Sequence, residues 1–148
     1  MSWRHSCCII GDKLFILGGG SQNLSIYNFK TGLTISTREL LPYPVFSGSV
    51  VVWGNKILFS GGMRNDMKIS DDVFCVSPDE SAGSQTLEIM KFKLVPRFGH
   101  TSHIIGRDLC GVIYLTLKTA LFSFYVLHHV GPSIMLCKFG RIFTHIYK

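Results

Sequence analysis

Short apolar runs, each cut off by a small or polar turn, set the pattern of this chain. Residues 6–10 and 14–17 are apolar stretches split by Gly11-Asp12-Lys13, and residues 50–53 and 57–59 are split in the same way by Gly54-Asn55-Lys56. Runs of this length, rich in Ile, Val and Phe and bounded by Gly, Asn and Asp, predict strands joined by tight hairpins. Further strands are expected at residues 24–28 and 72–76. None of these segments keeps a helical period, and nearly continuous apolar strands fit sheets covered on both faces. The expected class is all-β.

The pattern also repeats. The run 14–17 ends in Gly18-Gly19 and the run 57–60 in Gly61-Gly62, so Gly18 and Gly61 are 43 residues apart. His5 and Gly48, which open the two units, are also 43 apart, and Gly48 is 52 residues before His100. The excess of nine is assigned to the polar insertion at residues 77–85, read as a surface loop. Periods of about 40–50 residues are those of β-propeller repeats. The glycine doublets have a physical role in such a fold. A strand near a crowded axis must bend and admit neighbouring backbone, which residues without a side chain permit. A phosphate-binding reading of Gly18-Gly19-Gly20 is weaker, because neither a Gly-Lys-Ser/Thr nor a helical pattern follows.

An Arg-His-Ser opening at Arg4-His5-Ser6, an apolar strand, a double glycine and a further strand with an aromatic resemble the kelch repeat family. The resemblance covers residues 3–106 as an incomplete kelch-type propeller: units at 3–45 and 46–95, and part of a third from 96. Its signature residues are Arg4, His5, Gly18, Gly19, Gly61, Gly62, Arg97 and His100. The family's usual last-strand tryptophan is missing: Thr34 stands in its place in the first unit, and residues 87–90 lack it in the second. Each loss removes about 3 kcal/mol or more of packing if the position is buried. Trp3-Arg4-His5-Ser6-Cys7 and Pro96-Arg97-Phe98-Gly99-His100-Thr101-Ser102-His103 are similar to the kelch portion of the wybutosine-synthesising, leucine carboxyl methyltransferase-like tRNA modification family. That resemblance implies a binding scaffold that accompanies an S-adenosylmethionine-dependent methyltransferase domain. No glycine-rich strand–turn–helix unit for that domain stands in this sequence, so a fragment without the activity is expected.

The third unit starts well and then departs from the pattern. Thirteen residues after His100 stands Ile113, with no doublet, and the chain stays apolar to Val130. The break is placed between Gly106 and Leu109, leaving 107–148 as a divergent or non-kelch tail, with a helix among the options. Three readings stand: a divergent continuation of the repeats, a transmembrane helix over residues 109–127, or a tail foreign to the domain. Nineteen residues suffice to span a bilayer, although Lys118 near the middle costs about 2.5–3.5 kcal/mol. Lys138, Arg141 and Lys148 would then face the cytoplasm. Loss of the repeat and a change of charge favour the third reading. An incomplete ring leaves strand edges open, so instability or self-association through those edges is expected.

Charge sharpens the division. Residues 1–95 carry nine Lys/Arg and eight Asp/Glu, whereas residues 96–148 carry six Lys/Arg and Asp108 alone on the acidic side. The basic residues of the second part are scattered among apolar ones, so nucleic-acid binding is expected only through the family resemblance to a tRNA-modifying protein. Cys7, Cys8, Cys75, Cys110 and Cys137 form no CxxC pair and are read as free, buried thiols. Met1-Ser2-Trp3-Arg4-His5 lacks a signal peptide's apolar core, which points to the cytoplasm.

Candidate chemistry is sparse. His100 and His103 would point to opposite faces of a strand, so a metal site with His5 is set aside in favour of packing histidines. His128-His129 has no acidic neighbour in sequence, and an acidic turn at Asp71-Asp72 reads as a strand entry rather than a cation site. Cys7 and Cys8 lie in an apolar strand, where burial silences a thiol. No catalytic, cofactor or metal residue is assigned. Arg64, Asn65, Asp66 and Lys68, on a polar loop after the second doublet, are the candidate contact to a protein partner. A kelch adaptor, such as a substrate receptor of a ubiquitin ligase, is the rival function, although no BTB or F-box region is visible.

Overall fold

Each expected hairpin forms. The computed structural model describes residues 4–78, 85–89, 96–105, 109–116, 121–130 and 133–143, and beyond residue 103 it describes the backbone. Trp3, residues 79–84 of the polar insertion, Met90, Lys118 and Lys148 lie outside the described residues. β1 (His5–Ile10), β2 (Lys13–Gly18), β3 (Ser25–Asn28) and β4 (Thr34–Ser36) form one antiparallel sheet in chain order. A two-stranded ribbon pairs β5 (Val45–Phe46) with β8 (Met63–Arg64). The second sheet runs in chain order through β6 (Ser49–Trp53), β7 (Lys56–Ser60), β9 (Val73–Pro78) and β10 (Gln85–Ile89). A third holds β11 (Thr101–Ile105), β12 (Leu109–Thr116), β13 (Leu121–Val130) and β14 (Ser133–Phe143), again in order. The protein is all-β, built of antiparallel sheets, with no helix among the described residues.

One expectation for the tail is thereby corrected. The segment considered as a membrane helix is strand over Leu109–Thr116 and Leu121–Val130. Val112, Ile113, Tyr114 and Thr116, then Phe122, Phe124, Tyr125 and Val126, are β-branched or aromatic, and in an apolar run that composition decides for strand where periodicity cannot. On either side of the break expected between Gly106 and Leu109, β11 and β12 pair from Thr101↔Ile113 to Ile105↔Leu109, and residues 106–108 lie outside the described residues. The chain divides into compact units Met1–Phe98 and Gly99–Lys148.

Within the first unit the 43-residue offset holds bond by bond. β1 pairs with β2 as Ser6↔Leu17, and β6 with β7 as Ser49↔Ser60, each residue shifted by 43. The doublets end the second strands alike: Gly18 and Gly19 have φ of 79° and 68°, Gly61 and Gly62 of 62° and 100°. Each strand end is bonded to the segment entering the next sheet, through Gly20, which follows the first doublet and donates to the Val45 carbonyl at 3.0 Å, and through Gly62 of the second doublet, which donates to the Arg97 carbonyl at 2.7 Å. Val45 and Arg97 are 52 residues apart, the same offset as Gly48 and His100. The tight approach forbids side chains. A Cβ on Gly18 would sit 3.1 Å from the Val45 oxygen, and one on Gly62 would sit 2.8 Å from the Phe46 oxygen.

The nine-residue excess is distributed differently from the expectation. Leu14 pairs with Tyr27 in the first sheet, but Ile57 pairs with Val76 in the second, which places six extra residues between the second and third strands. Tyr27↔Thr34 against Val76↔Leu87 places four more at the polar insertion, and the segment leading to the next sheet is one shorter. A polar stretch is easy to see in sequence. The longer connection holds Met63, Met67 and Ile69 and does not look like an insertion.

Phe15, Leu17, Leu24 and Ile26 from the first sheet join Ile57, Phe59, Phe74 and Val76 from the second, with Leu41 and Val45, in one core. Thr34, in place of the family's tryptophan, is exposed with the rest of β4, so the outermost strand adds little to that core.

Candidate functional site

The connection between β7 and β9, residues 61–72, carries the chemistry of the first unit. Its tip is a tight turn: the Met67 amide donates to the Arg64 carbonyl at 3.0 Å, and the Arg64 amide to the Lys68 carbonyl at 2.8 Å. Met67 takes the left-handed φ of 63° that closes the turn. Met63 bridges to Ile69 across the base. This turn brings together all four candidate contact residues, although Arg64 belongs to β8 rather than to a loop. Arg64 is half-buried, while Asn65, Asp66 and Lys68 are exposed.

Asp66 organises the tip. It meets Arg64 Nε at 3.3 Å and Lys68 Nζ at 3.5 Å, and accepts the Lys68 amide at 3.3 Å. Desolvation opposes the charge, but the Lys68 amide and the Arg64 and Lys68 cations together hold the Asp66 carboxyl below its ordinary value. One carboxylate therefore sits between two cations at the end of the strand pair.

Arg64 also reaches inward, its guanidinium carbon 4.2 Å from the centre of the Tyr43 ring. This is a cation–π stack, which the planar guanidinium favours. The Tyr43 hydroxyl donates to the Asp72 carboxylate and lies 2.9 Å from Ser70 Oγ. Ser70 is buried, accepts the Asp72 amide at 3.1 Å and donates its own amide to the Gly62 carbonyl at 2.8 Å. Tyr43 packs edge-on to Phe74 at 5.8 Å, and Phe74 stacks on Phe59 at 6.3 Å. A continuous series of contacts runs from the exposed tip through Arg64, Tyr43 and Phe74 into the core.

Burial, and next the bond to Asp72, push the Tyr43 hydroxyl up to about 12. The phenol is therefore neutral at physiological pH, a fixed donor rather than a base or nucleophile. Asp72, read in sequence as part of an acidic turn, is the acceptor of that donor. Tyr43 itself is absent from the sequence reading. The signal was its frame, Leu41-Pro42-Tyr43-Pro44: proline on both sides holds the backbone extended and fixes where an aromatic is presented.

The other singled-out residues fall apart in space or differ in setting. Arg4 and His5 are exposed, whereas Arg97 and His100 are buried. Arg97 acts through its backbone on Gly62 and Ser70. His100 is buried and His103 exposed. Among the described residues no three His, Cys, Asp or Glu side chains gather as metal ligands, and no helix is long and apolar enough to cross a membrane. The expectation of buried thiols is corrected at Cys7, which strand alternation turns outward. Burial, then the neighbouring Cys7, pushes the Cys8 thiol up to about 12, and burial also raises Cys75. No family model matches the chain, and comparison with the curated proteins finds no significant match.

Proposed function

We propose that this chain is part of a kelch-type propeller that works as a protein-binding scaffold, with the β7–β9 connection as its contact surface. The observation that carries the reading is the recurrent strand end. The first hairpins of two four-stranded sheets repeat at one offset, and at the end of each second strand a glycine, Gly20 or Gly62, is bonded to the segment that precedes the next sheet. That is the way a blade is locked to its neighbour around an axis. The Arg64–Tyr43–Asp72 arrangement supports binding: it holds a cation in place and keeps the Tyr43 ring neutral.

The short similarity at residues 96–103 supports, as the first reading, the kelch scaffold of a cytoplasmic tRNA wybutosine-synthesising, leucine carboxyl methyltransferase-like protein. A generic kelch adaptor is the second reading, and the same cationic tip favours an acidic protein partner in either case. Affinity capture with the intact chain, followed by mass spectrometry, tests both. A tRNA-modifying methyltransferase enriched on the wild type and lost on an Arg64→Glu/Lys68→Glu variant supports the first reading. Ubiquitin-ligase components with the same dependence support the second. Identical captures on both chains would overturn the assignment of the tip as the contact.

A further inference from the structure

The turn at the end of the β7–β9 connection sets two cations opposite each other. The Arg64 amide donates to the Lys68 carbonyl at 2.8 Å, and Met63 bridges Ile69 next to that pair. Opposed residues of a two-stranded ribbon project to the same side. Arg64 and Lys68 therefore share one face of the turn, and Met63 and Ile69 the other. Within the turn Asp66 is the one carboxylate against these two cations.

Asp66 does not saturate them. It approaches Arg64 Nε at 3.3 Å without a hydrogen bond and Lys68 Nζ at 3.5 Å. Well-made bonds between such groups run at about 2.7–2.9 Å. The pairing is one of charge, and hydrogen-bonding capacity is left over on both cations.

Arg64 is the better held of the two. Its side chain is 36% exposed, against 75% for Lys68. The stack on Tyr43 fixes the plane of the guanidinium, and Nε is buried beside Asp66, which fixes the side that turns inward. The opposite end carries Nη1 and Nη2. Among the described residues these two nitrogens make no hydrogen bond, and they are not buried. Parallel N–H groups at a planar end match an anionic group that presents two oxygens. Fixing a long side chain before contact removes the cost of ordering it on binding.

We infer that Arg64 anchors the contact surface: its two outer nitrogens take two oxygens of one anionic group on a partner protein, and Lys68 adds an exposed charge beside it. The inference rests on the binding reading above and deepens it, from an acidic partner to a defined group, a side-chain carboxylate or a serine phosphate in a peptide segment.

Oriented peptide arrays probed with the intact chain test this. One position is fixed as Glu, phosphoserine, Gln or Lys, and its neighbours are random. Glu or phosphoserine is expected to exceed Gln by about tenfold, the worth of one charge-assisted hydrogen bond, and the stronger of the two identifies the source of the anion. Arg64→Lys keeps the net charge and removes the planar fork, so the preference should fall about tenfold. Lys68→Gln should lower it by about two- to threefold, as loss of an exposed charge does. Lys30→Gln removes an equal charge from the first sheet and should leave the preference as it is. Far-UV circular dichroism identical to wild type secures the fold of each variant. A wild type indifferent to the fixed position overturns the inference, as does a preference that Arg64→Lys retains in full. If Arg64→Lys still captures a partner that Arg64→Glu/Lys68→Glu loses, only the two-oxygen anchor falls and the tip remains the contact. Captures that are the same on every variant overturn both.

Discussion

The first and second sheets use the same strand plan, and their second and third strands are joined in different ways. Six residues, 19–24, link β2 to β3, whereas twelve, 61–72, link β7 to β9. The strand ends are alike in both: a glycine doublet with positive φ, and a glycine, Gly20 or Gly62, bonded to a carbonyl of the following entry segment. In the short link, polar groups serve the link itself, as when Gln22 donates to the Leu41 carbonyl at 2.9 Å. In the long link they form the Arg64–Tyr43–Asp72 system. Backbone bonds within the sheet do not change with loop length, so the repeat constrains the doublet and leaves the connection free to acquire chemistry. Ways to test this division follow from the residues on each side of it.

The shared part gives the largest effect. Phe59 is wholly buried and stacks on Phe74, while its counterpart in the first sheet, Ile16, is half-buried. Phe59→Ala is expected to cost about 3–5 kcal/mol in urea unfolding, because the ring leaves a cavity between two sheets. Ile16→Ala should cost about 1 kcal/mol, as a typical partly exposed position does. Equal losses would mean that the two faces are covered alike.

The doublets come next. At Gly62, φ is 100° and a Cβ would clash with Val45 Cγ1. Gly62→Ala therefore combines backbone strain of about 1–3 kcal/mol with overpacking of similar size. Gly11, at φ 56° with nothing within 4 Å of a Cβ, carries the backbone part only. Gly11→Ala should cost about 1 kcal/mol. A Gly62→Ala loss no larger than that of Gly11→Ala would show that close approach does not constrain the doublet.

These positions also mark how much could be read in advance. Hairpins and doublets were legible because each rests on local chemistry: a two-residue turn, or a strand that only glycine can end in this conformation. The third sheet was not, since periodicity does not separate strand from helix in its apolar run and only the β-branched and aromatic composition does. The contact residues Arg64 to Lys68 stood out by polarity alone. Tyr43 did not, because its partner Asp72 lies 29 residues away and only the fold brings them together. The six extra residues of the long link were hidden for a related reason: they include apolar Met63 and Ile69, which pair across its base.

Within the long link, Tyr43→Phe keeps the ring against Phe74 and removes the donor to Asp72. Loss of this part-buried bond to a charged acceptor costs about 1–2 kcal/mol. The pH dependence has a definite sign. The hydroxyl titrates near 10 when the chain is unfolded and near 12 when folded, burial being the main cause and Asp72 the next. Its stabilising contribution is therefore full below pH 10 and is lost as pH rises toward 12. The wild-type urea midpoint should fall over that range more steeply than that of Tyr43→Phe. Parallel curves would place the raised hydroxyl elsewhere.

Arg64 gives the smallest change in stability and the clearest separation of roles. Arg64→Ala removes a guanidinium stacked on Tyr43 at a partly exposed site, worth about 0.5–1 kcal/mol. It also takes one cation from Asp66, whose carboxyl should rise toward its ordinary value, readable from the side-chain carboxyl shift in a pH titration by nuclear magnetic resonance. Arg64→Lys divides these effects. The ammonium keeps the charge beside Asp66 but lacks the planar face, so the carboxyl should stay low while the stacking contribution goes. If Arg64→Lys instead matches wild type in stability and Arg64→Ala does not, charge rather than stacking joins the tip to Tyr43. The long link would then be held by charge, as the exposed Lys30–Asp12 ion pair of the first sheet is.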